Sequence, residues 1–174
     1  HKAHGRLDVL VNNAGGAPPA DTATVSPRFS EKIIRLNLLA PLWLSQEANT
    51  VMQAQANGGV IVNIASVAGL RPAPSVAAYG AAKAGLLNLA QTMAMEFGPK
   101  VRVLSISPGL VATAEALAQY AEAFEALDQD KLCTPQQVGE SAVWLACSAA
   151  LCATGTNLFL DGPTDLSLFG LSLL

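Results

Sequence analysis

The hydrophobic pattern opens with a β-branched and leucine run at residues 7–11 that stops at Asn12-Asn13-Ala14-Gly15-Gly16. That pattern predicts a strand feeding a loop with unusual backbone angles. Polar, proline-bearing sequence follows to Ser26, where a capping serine precedes Pro27 and marks a helix start. Apolar positions at Phe29, Ile33, Ile34 and Leu36 carry that helix towards Met52, with Pro41 predicted to bend it or interrupt its hydrogen-bond ladder. After Gly58-Gly59, the run Val60-Ile61-Val62-Asn63-Ile64 is almost continuously apolar, as expected of a strand buried on both faces, and it exits at Ala65-Ser66. Residues 76–97 predict a helix whose first half, rich in Ala and Gly, lets its backbone approach neighbours closely, and Gly98-Pro99 stops it. A third strand is predicted at 101–107, closed by Pro108-Gly109, and a helical stretch at 113–128. Thr134-Pro135-Gln136-Gln137 has the form of a capping box and starts a helix reaching Ser148; Asn157–Leu160 is the last strand.

The resulting order, β-α-β-α-β-α-α-β with crossovers long enough for helices, argues an α/β layer structure around a parallel sheet. At 174 residues, without internal repeats, it predicts a single domain. Hydrophobic residues at 51% against 13% charged agree with a sheet covered on both faces. Ten basic against thirteen acidic residues give a net charge of −3, so no basic face is expected for nucleic acid or for a membrane surface. Cys133, Cys147 and Cys152 lack CxxC spacing and read as reduced packing residues, which fits a cytoplasmic setting. The first residues have no signal-peptide pattern, and the apolar stretch 166–174 is well under the ~20 residues of a membrane span. His1 and His4 have no third ligand beside them, so no metal site is expected. Trp43 and Trp144 lie on apolar helical stretches and are expected in the core.

In an open parallel sheet, ligands bind beyond the carboxyl ends of the strands, which directs attention to Asn13-Ala14-Gly15, Ser66 and Pro108-Gly109. Tyr79 and Lys83, four apart on one helix, share a face. A lysine ammonium there would favour phenolate over phenol and make Tyr79 usable as a general acid or base. Taken singly, these residues admit bland readings. Ser66 fits a strand-exit cap, Tyr79 a half-buried packing aromatic, Lys83 a solvated charge, and Asn37 a partner for backbone freed near Pro41.

Together, Asn12-Asn13-Ala14-Gly15, Asn37-Leu38, Ser66, Tyr79-Gly-Ala-Ala-Lys83 and Pro108-Gly109-Leu-Val-Ala-Thr113 resemble the short-chain dehydrogenase/reductase family in type, order and spacing. The resemblance continues through Thr134-Pro-Gln-Gln-Val138 and Thr154-Gly155 to Leu160-Asp161-Gly162. It implies a Rossmann-like doubly wound parallel sheet and NAD or NADP as cofactor. The implied reaction interconverts a secondary alcohol and a ketone by hydride transfer. By that resemblance Tyr79 is the acid/base and Ser66 holds the substrate oxygen. Lys83 binds the nicotinamide ribose and lowers the Tyr79 pKa, and Asn37 holds a relay water. Asn13, Ala14 and Gly15 would line the cofactor; Pro108, Gly109, Val111 and Thr113 would meet the carboxamide; residues 114–131 would form a substrate lid. The four-residue interval from Tyr79 to Lys83 implies the ordinary dehydrogenases rather than the enoyl-reductase branch. A homodimer or homotetramer built on helices 26–52 and 76–97 is also implied.

The sequence departs from the family pattern in one large respect. The resemblance begins at the family's fourth strand, so the glycine-rich phosphate loop and the first strands are absent from these residues. The expectation is that the sequence is part of a longer polypeptide, and that without those elements the sheet has an uncovered apolar edge. A non-catalytic scaffold, or a sensor that binds the cofactor without turning it over, fits the same absence. Leu104 also stands where the family commonly has asparagine, and Pro163 where it more often has glycine.

Overall fold

A computed structural model describes residues 4–119, 132–147 and 150–161. In chain order the elements are β1 (Val9–Asn12), α1 (Pro27–Ile34), a π-helical turn (Arg35–Leu39), α2 (Ala40–Ala54), β2 (Gly59–Ile64), a 3-10 turn (Val67–Gly69) and α3 (Ala77–Phe97). They are followed by β3 (Val101–Pro108), α4 (Ala114–Gln119), α5 (Pro135–Ala146) and β4 (Asn157–Leu160). The four strands form one parallel sheet in the order β1-β2-β3-β4. The α/β, Rossmann-like architecture expected from the sequence is therefore present.

Side-chain alternation along β2 and β3 divides the core into two layers, as the near-continuous apolar runs require. Ile61, Val101 and Val103 face α2 and α3, where they meet Ala48, Met52, Ala90 and Met93. Val60, Val62, Leu104 and Ile106 face the other way, onto Ala142 and Leu145 of α5. Leu104, at the position where asparagine is common, is fully buried in this second layer. A polar row crosses the first layer. Asn12, Asn63 and Ser105 are register partners, and the Asn12 amide donates to Asn63 Oδ1 at 2.8 Å and to Ser45 Oγ of α2 at 3.1 Å. It fixes β1 where the chain turns into the Asn13–Gly16 loop. On the α5 face, Val9 and Val11 continue the row of Val60 and Val62, but they are 38% and 43% exposed because α5 covers only β2 and β3.

The helix predicted to run unbroken from Ser26 to Met52 is two helices separated by a π-helical turn. Ser26 caps the first, its hydroxyl accepting from the Phe29 N–H, as expected. The break falls at 35–39, ahead of Pro41, because a proline has no N–H to give the carbonyl four residues earlier, that of Asn37. The capping box at Thr134 is formed in both directions, Gln137 N–H to Thr134 Oγ1 and Thr134 N–H to Gln137 Oε1, and α5 ends at Ala146 instead of Ser148. The stretch predicted helical at 113–128 is helical over Ala114–Gln119; its remainder, like most of the expected lid at 114–131, lies outside the described residues.

Trp43 and Trp144 are not core residues. They are 43% and 52% exposed, on the outward faces of α2 and α5. Both helices carry apolar residues on more than one face, so helical spacing alone does not select the inward one; Trp43 packs beneath the Arg35 guanidinium, 5.1 Å from its ring centroid. Of the cysteines only Cys133 is buried; Cys147 and Cys152 are exposed, and all three are free thiols.

Candidate active site

The carboxyl ends of β1, β2 and β3 open onto a cleft of about 510 Å³. Gly15 and Gly16 line it from the β1 exit, Ser66 from the β2 exit, Tyr79 from α3, and Pro108, Gly109, Val111 and Thr113 from the β3 exit. Asn13 and Ala14 are exposed and lie outside its walls.

Asn37 and Lys83 sit behind this surface. The π-helical turn carries Asn37, fully buried, up against the β1 exit loop, where its amide clasps one residue. Gly16 N–H donates to Asn37 Oδ1 and Asn37 Nδ2 donates to the Gly16 carbonyl, both at 2.9 Å. The second amide hydrogen of Asn37 goes to the Ile33 carbonyl at 2.9 Å. A water could therefore be held only through spare acceptor capacity of Asn37, on its side-chain oxygen or main-chain carbonyl. Gly16 has a positive φ of 138°, and a Cβ on Gly15 would fall 2.6 Å from Asn37 Oδ1 and 3.2 Å from Lys83 Nζ. The two glycines are thus required by different causes, one by backbone angle and one by close approach.

Lys83 is 3% exposed. Its ammonium donates to the Ile64 carbonyl at 2.6 Å and lies 5.5 Å from the Tyr79 ring centroid. Burial pulls its pKa down to about 8. Lys83 is thus a buried cation beside a tyrosine, and the solvated-charge reading fails.

What brings Ser66 to the same place is a contact between the 3-10 turn and α3. Ser66 caps that turn, its Oγ accepting from the Ala68 N–H at 3.2 Å, so the strand-exit cap is real. A Cβ on Gly69 would meet the Lys83 carbonyl carbon and the Ala84 nitrogen at 2.7 Å, and one on Gly80 would meet the Ala68 oxygen at 2.9 Å. Bare backbone at both positions lets the turn lie directly on the helix that carries Tyr79 and Lys83. The small-residue composition of α3 announced close packing; Gly69, which the sequence reading passed over, is the other half of it.

Two further residues were legible only in three dimensions. Arg71, just past the turn, pairs with Asp161 at the end of β4 at 3.2 Å, and the Asp161 side chain is largely buried. Asp161 packs so tightly on the β3 exit that a Cβ on Gly109 would overlap its carboxylate. The Gly109 N–H donates to the Leu160 carbonyl at 2.8 Å. The pair therefore ties the Ser66 segment, the Gly109 turn and β4 together at the rim of the cleft. Val111 bridges to Cys133, whose thiol pKa is raised by burial and then by Asp161, and Thr113 caps α4 by accepting from the Ala116 N–H at 3.1 Å. Among the described residues no group of three His, Cys, Asp or Glu side chains could hold a metal ion, and no helix is long and apolar enough to cross a membrane.

A family model described as "Enoyl-(Acyl carrier protein) reductase" matches residues 1–163. A 7alpha-hydroxysteroid dehydrogenase of Bacteroides fragilis is 34% identical over 170 residues, covering 92% of this chain, and the chain spans 65% of that protein's length. A short-chain dehydrogenase/reductase of Aspergillus oryzae, astE, is also 34% identical, over 95% of this chain and 67% of its own. Among solved structures, a 4-hydroxyisoleucine dehydrogenase complexed with NADH superposes with a TM-score of 0.79 at 37% identity, covering 89% of this chain and 67% of that one. ElxO with NADP bound superposes with a TM-score of 0.83 at 30% identity, over 92% and 68%.

Proposed function

Because the chain belongs to the short-chain dehydrogenase/reductase family, we propose that it carries the reacting half of an NAD(P)-dependent oxidoreductase that interconverts a secondary alcohol and a ketone. The observation that carries this reading is the meeting of Ser66 and Tyr79 on one cleft with a buried ammonium 5.5 Å from the Tyr79 ring. The NADH and NADP complexes among its structural neighbours support the cofactor class. Gly15, Gly16 and Gly109 line the side of the cleft that would hold the nicotinamide end of the cofactor, which would supply or accept the hydride.

In the direction of reduction, the Ser66 hydroxyl donates to the carbonyl oxygen and the Tyr79 hydroxyl gives it a proton as hydride reaches the carbon. Lys83 favours the negative charge left on the Tyr79 oxygen and would be the residue that holds the ribose end of the cofactor. Asn37 acts by holding Gly16 and hence the wall of the cleft; a relay water on its remaining acceptor completes proton supply. In oxidation the same groups act in reverse. Asn13 and Ala14, outside the cleft walls, are assigned to the flank of the cofactor rather than to its ring. Three free thiols fit a reducing compartment such as the cytoplasm. Exposed Leu36, Trp43, Leu44 and Met95 on the α1–α2 and α3 helices fit a homodimer or homotetramer.

The test is turnover by the full polypeptide that carries this chain, followed through the absorbance of NADH or NADPH with a panel of ketones. Tyr79→Phe, which removes only the hydroxyl, is expected to lower kcat by at least ~100-fold, the scale of general acid catalysis. Unchanged turnover in Tyr79→Phe sinks the mechanism. The description of the matching family model favours a second reading, reduction of a carbon–carbon double bond conjugated to a carbonyl. An α,β-unsaturated ketone separates the two, since allylic alcohol supports the first reading and saturated ketone the second.

A further inference from the structure

Beside the cleft lies a second hollow of about 240 Å³. Ala20 and Val25 of the loop after β1, Phe29 and Ile33 of α1, and Val76 at the start of α3 wall it. Ala17, Val76 and Tyr79 belong to both spaces, so the hollow meets the cleft at the candidate acid/base. Below the ~300–1,000 Å³ of whole ligand pockets, it has the size of one arm of a substrate.

Two backbone features hold its walls. The Ala20 N–H donates to the Ser75 carbonyl at 2.7 Å, joining the loop after β1 to the loop before α3 across the top of the hollow. Ser75 makes that carbonyl available by adopting φ +65°, the left-handed region that a serine rarely occupies and that marks backbone held for a purpose.

Among the described residues no Asp, Glu, Lys, Arg or His lines either space; the side-chain polar groups of the hollow are the hydroxyls of Thr22, Ser30, Ser75 and Tyr79. The nearby cations are committed, Lys83 to the Ile64 carbonyl and Arg71 to Asp161. A carboxylate or phosphate entering here would lose water and gain no ion pair among the described residues, a cost that apolar contact does not offset.

We propose that the hollow receives the hydrocarbon arm of the substrate, and that the substrate is an uncharged ketone or secondary alcohol with a branched or single-ring arm, not a keto acid or a phosphorylated compound. The assignment rests on the oxidoreductase reading of the cleft.

Three compounds test it on the full polypeptide carrying this chain, with NADH and NADPH: 1-cyclohexylpropan-2-one, the keto acid 3-cyclohexyl-2-oxopropanoate, and butan-2-one. The cyclohexyl ketone is expected to exceed the keto acid, which differs by carboxylate for methyl, at least ~100-fold in kcat/KM, and to exceed butan-2-one at least ~10-fold. Val25→Trp and, separately, Ala20→Leu fill the hollow, and each is expected to shrink the cyclohexyl-to-butanone ratio towards one. Because this is a ratio within one preparation, a loss of folded enzyme does not move it. A keto acid used as well as its ketone overturns the substrate class. A ratio that survives both substitutions overturns the arm's location. Turnover of none of the three with either cofactor overturns the oxidoreductase reading, and the substrate class with it.

Discussion

Lys83 is a charge that the fold holds at a cost. Burial lowers its pKa from 10.5 to about 8, so between those values the unfolded chain binds the proton and the folded chain does not. Stability therefore rises with pH through that window, and the burial penalty is fully present below it; two to three pH units correspond to ~3 kcal/mol. In urea titrations at pH 8 and pH 10, the unfolding free energy of the wild-type protein is expected to gain on that of Lys83→Met, and a constant difference would show that the ammonium is solvated. Tyr79 and Lys83 were legible in the sequence because their relation is local, one helical turn. Ser66 was legible as a strand exit, but its meeting with Tyr79 depends on Gly69 lying against the Lys83–Ala84 backbone and Gly80 against the Ala68 carbonyl, and the Arg71–Asp161 pair joins positions ninety residues apart. Spacing along a single sequence carries no signal for such contacts.

Elements differ in whether their defects propagate to the cleft. No residue of α5 lines the cleft, so Thr134→Ala, which removes the cap of that helix, is expected to cost about 1 kcal/mol in thermal or urea unfolding while turnover stays within twofold of wild type. Gly69→Ala puts a methyl group against backbone of α3 that cannot yield, so the turn must lift away and take Ser66 with it. Its expected signature is the opposite, a kcat lowered at least ~10-fold in protein that is still folded by circular dichroism. Equal effects of the two substitutions would refute a positioning role for the turn. The break between α1 and α2 shows where element boundaries escape sequence reasoning. Pro41 announced an interruption, but the strain is relieved upstream at 35–39, where widening the helix by one residue per turn also delivers Asn37 to Gly16. Trp43 and Trp144 were misplaced for a related reason. A helix apolar on several sides does not declare which side faces the sheet, and that choice is made by the strands it packs on.

At the scale of the molecule, both layers of the core are complete over β2 and β3 but not over β1, where Val9 and Val11 stand exposed on an edge strand. Exposed apolar edges pair with other chains. The 174-residue chain by itself is expected to show concentration-dependent association in light scattering, reduced by Val9→Lys with Val11→Lys; a monomer at all concentrations would contradict this. The uncovered edge was legible in the sequence as a consequence of the family pattern starting late, whereas the division of apolar residues between two layers followed from the strands alone. The identity between strand order and chain order has a consequence for synthesis. Among the four described strands none inserts between two earlier ones, so β2, β3 and β4 each meet the preceding strand on leaving the ribosome. Asn37, Ser66, Tyr79, Lys83 and the Gly109 turn have all emerged once β3 is out, before α5 or β4 exists. Within these residues the candidate site thus precedes α5 and β4, which arrive as its cover, with Asp161 among the last described residues to lock it.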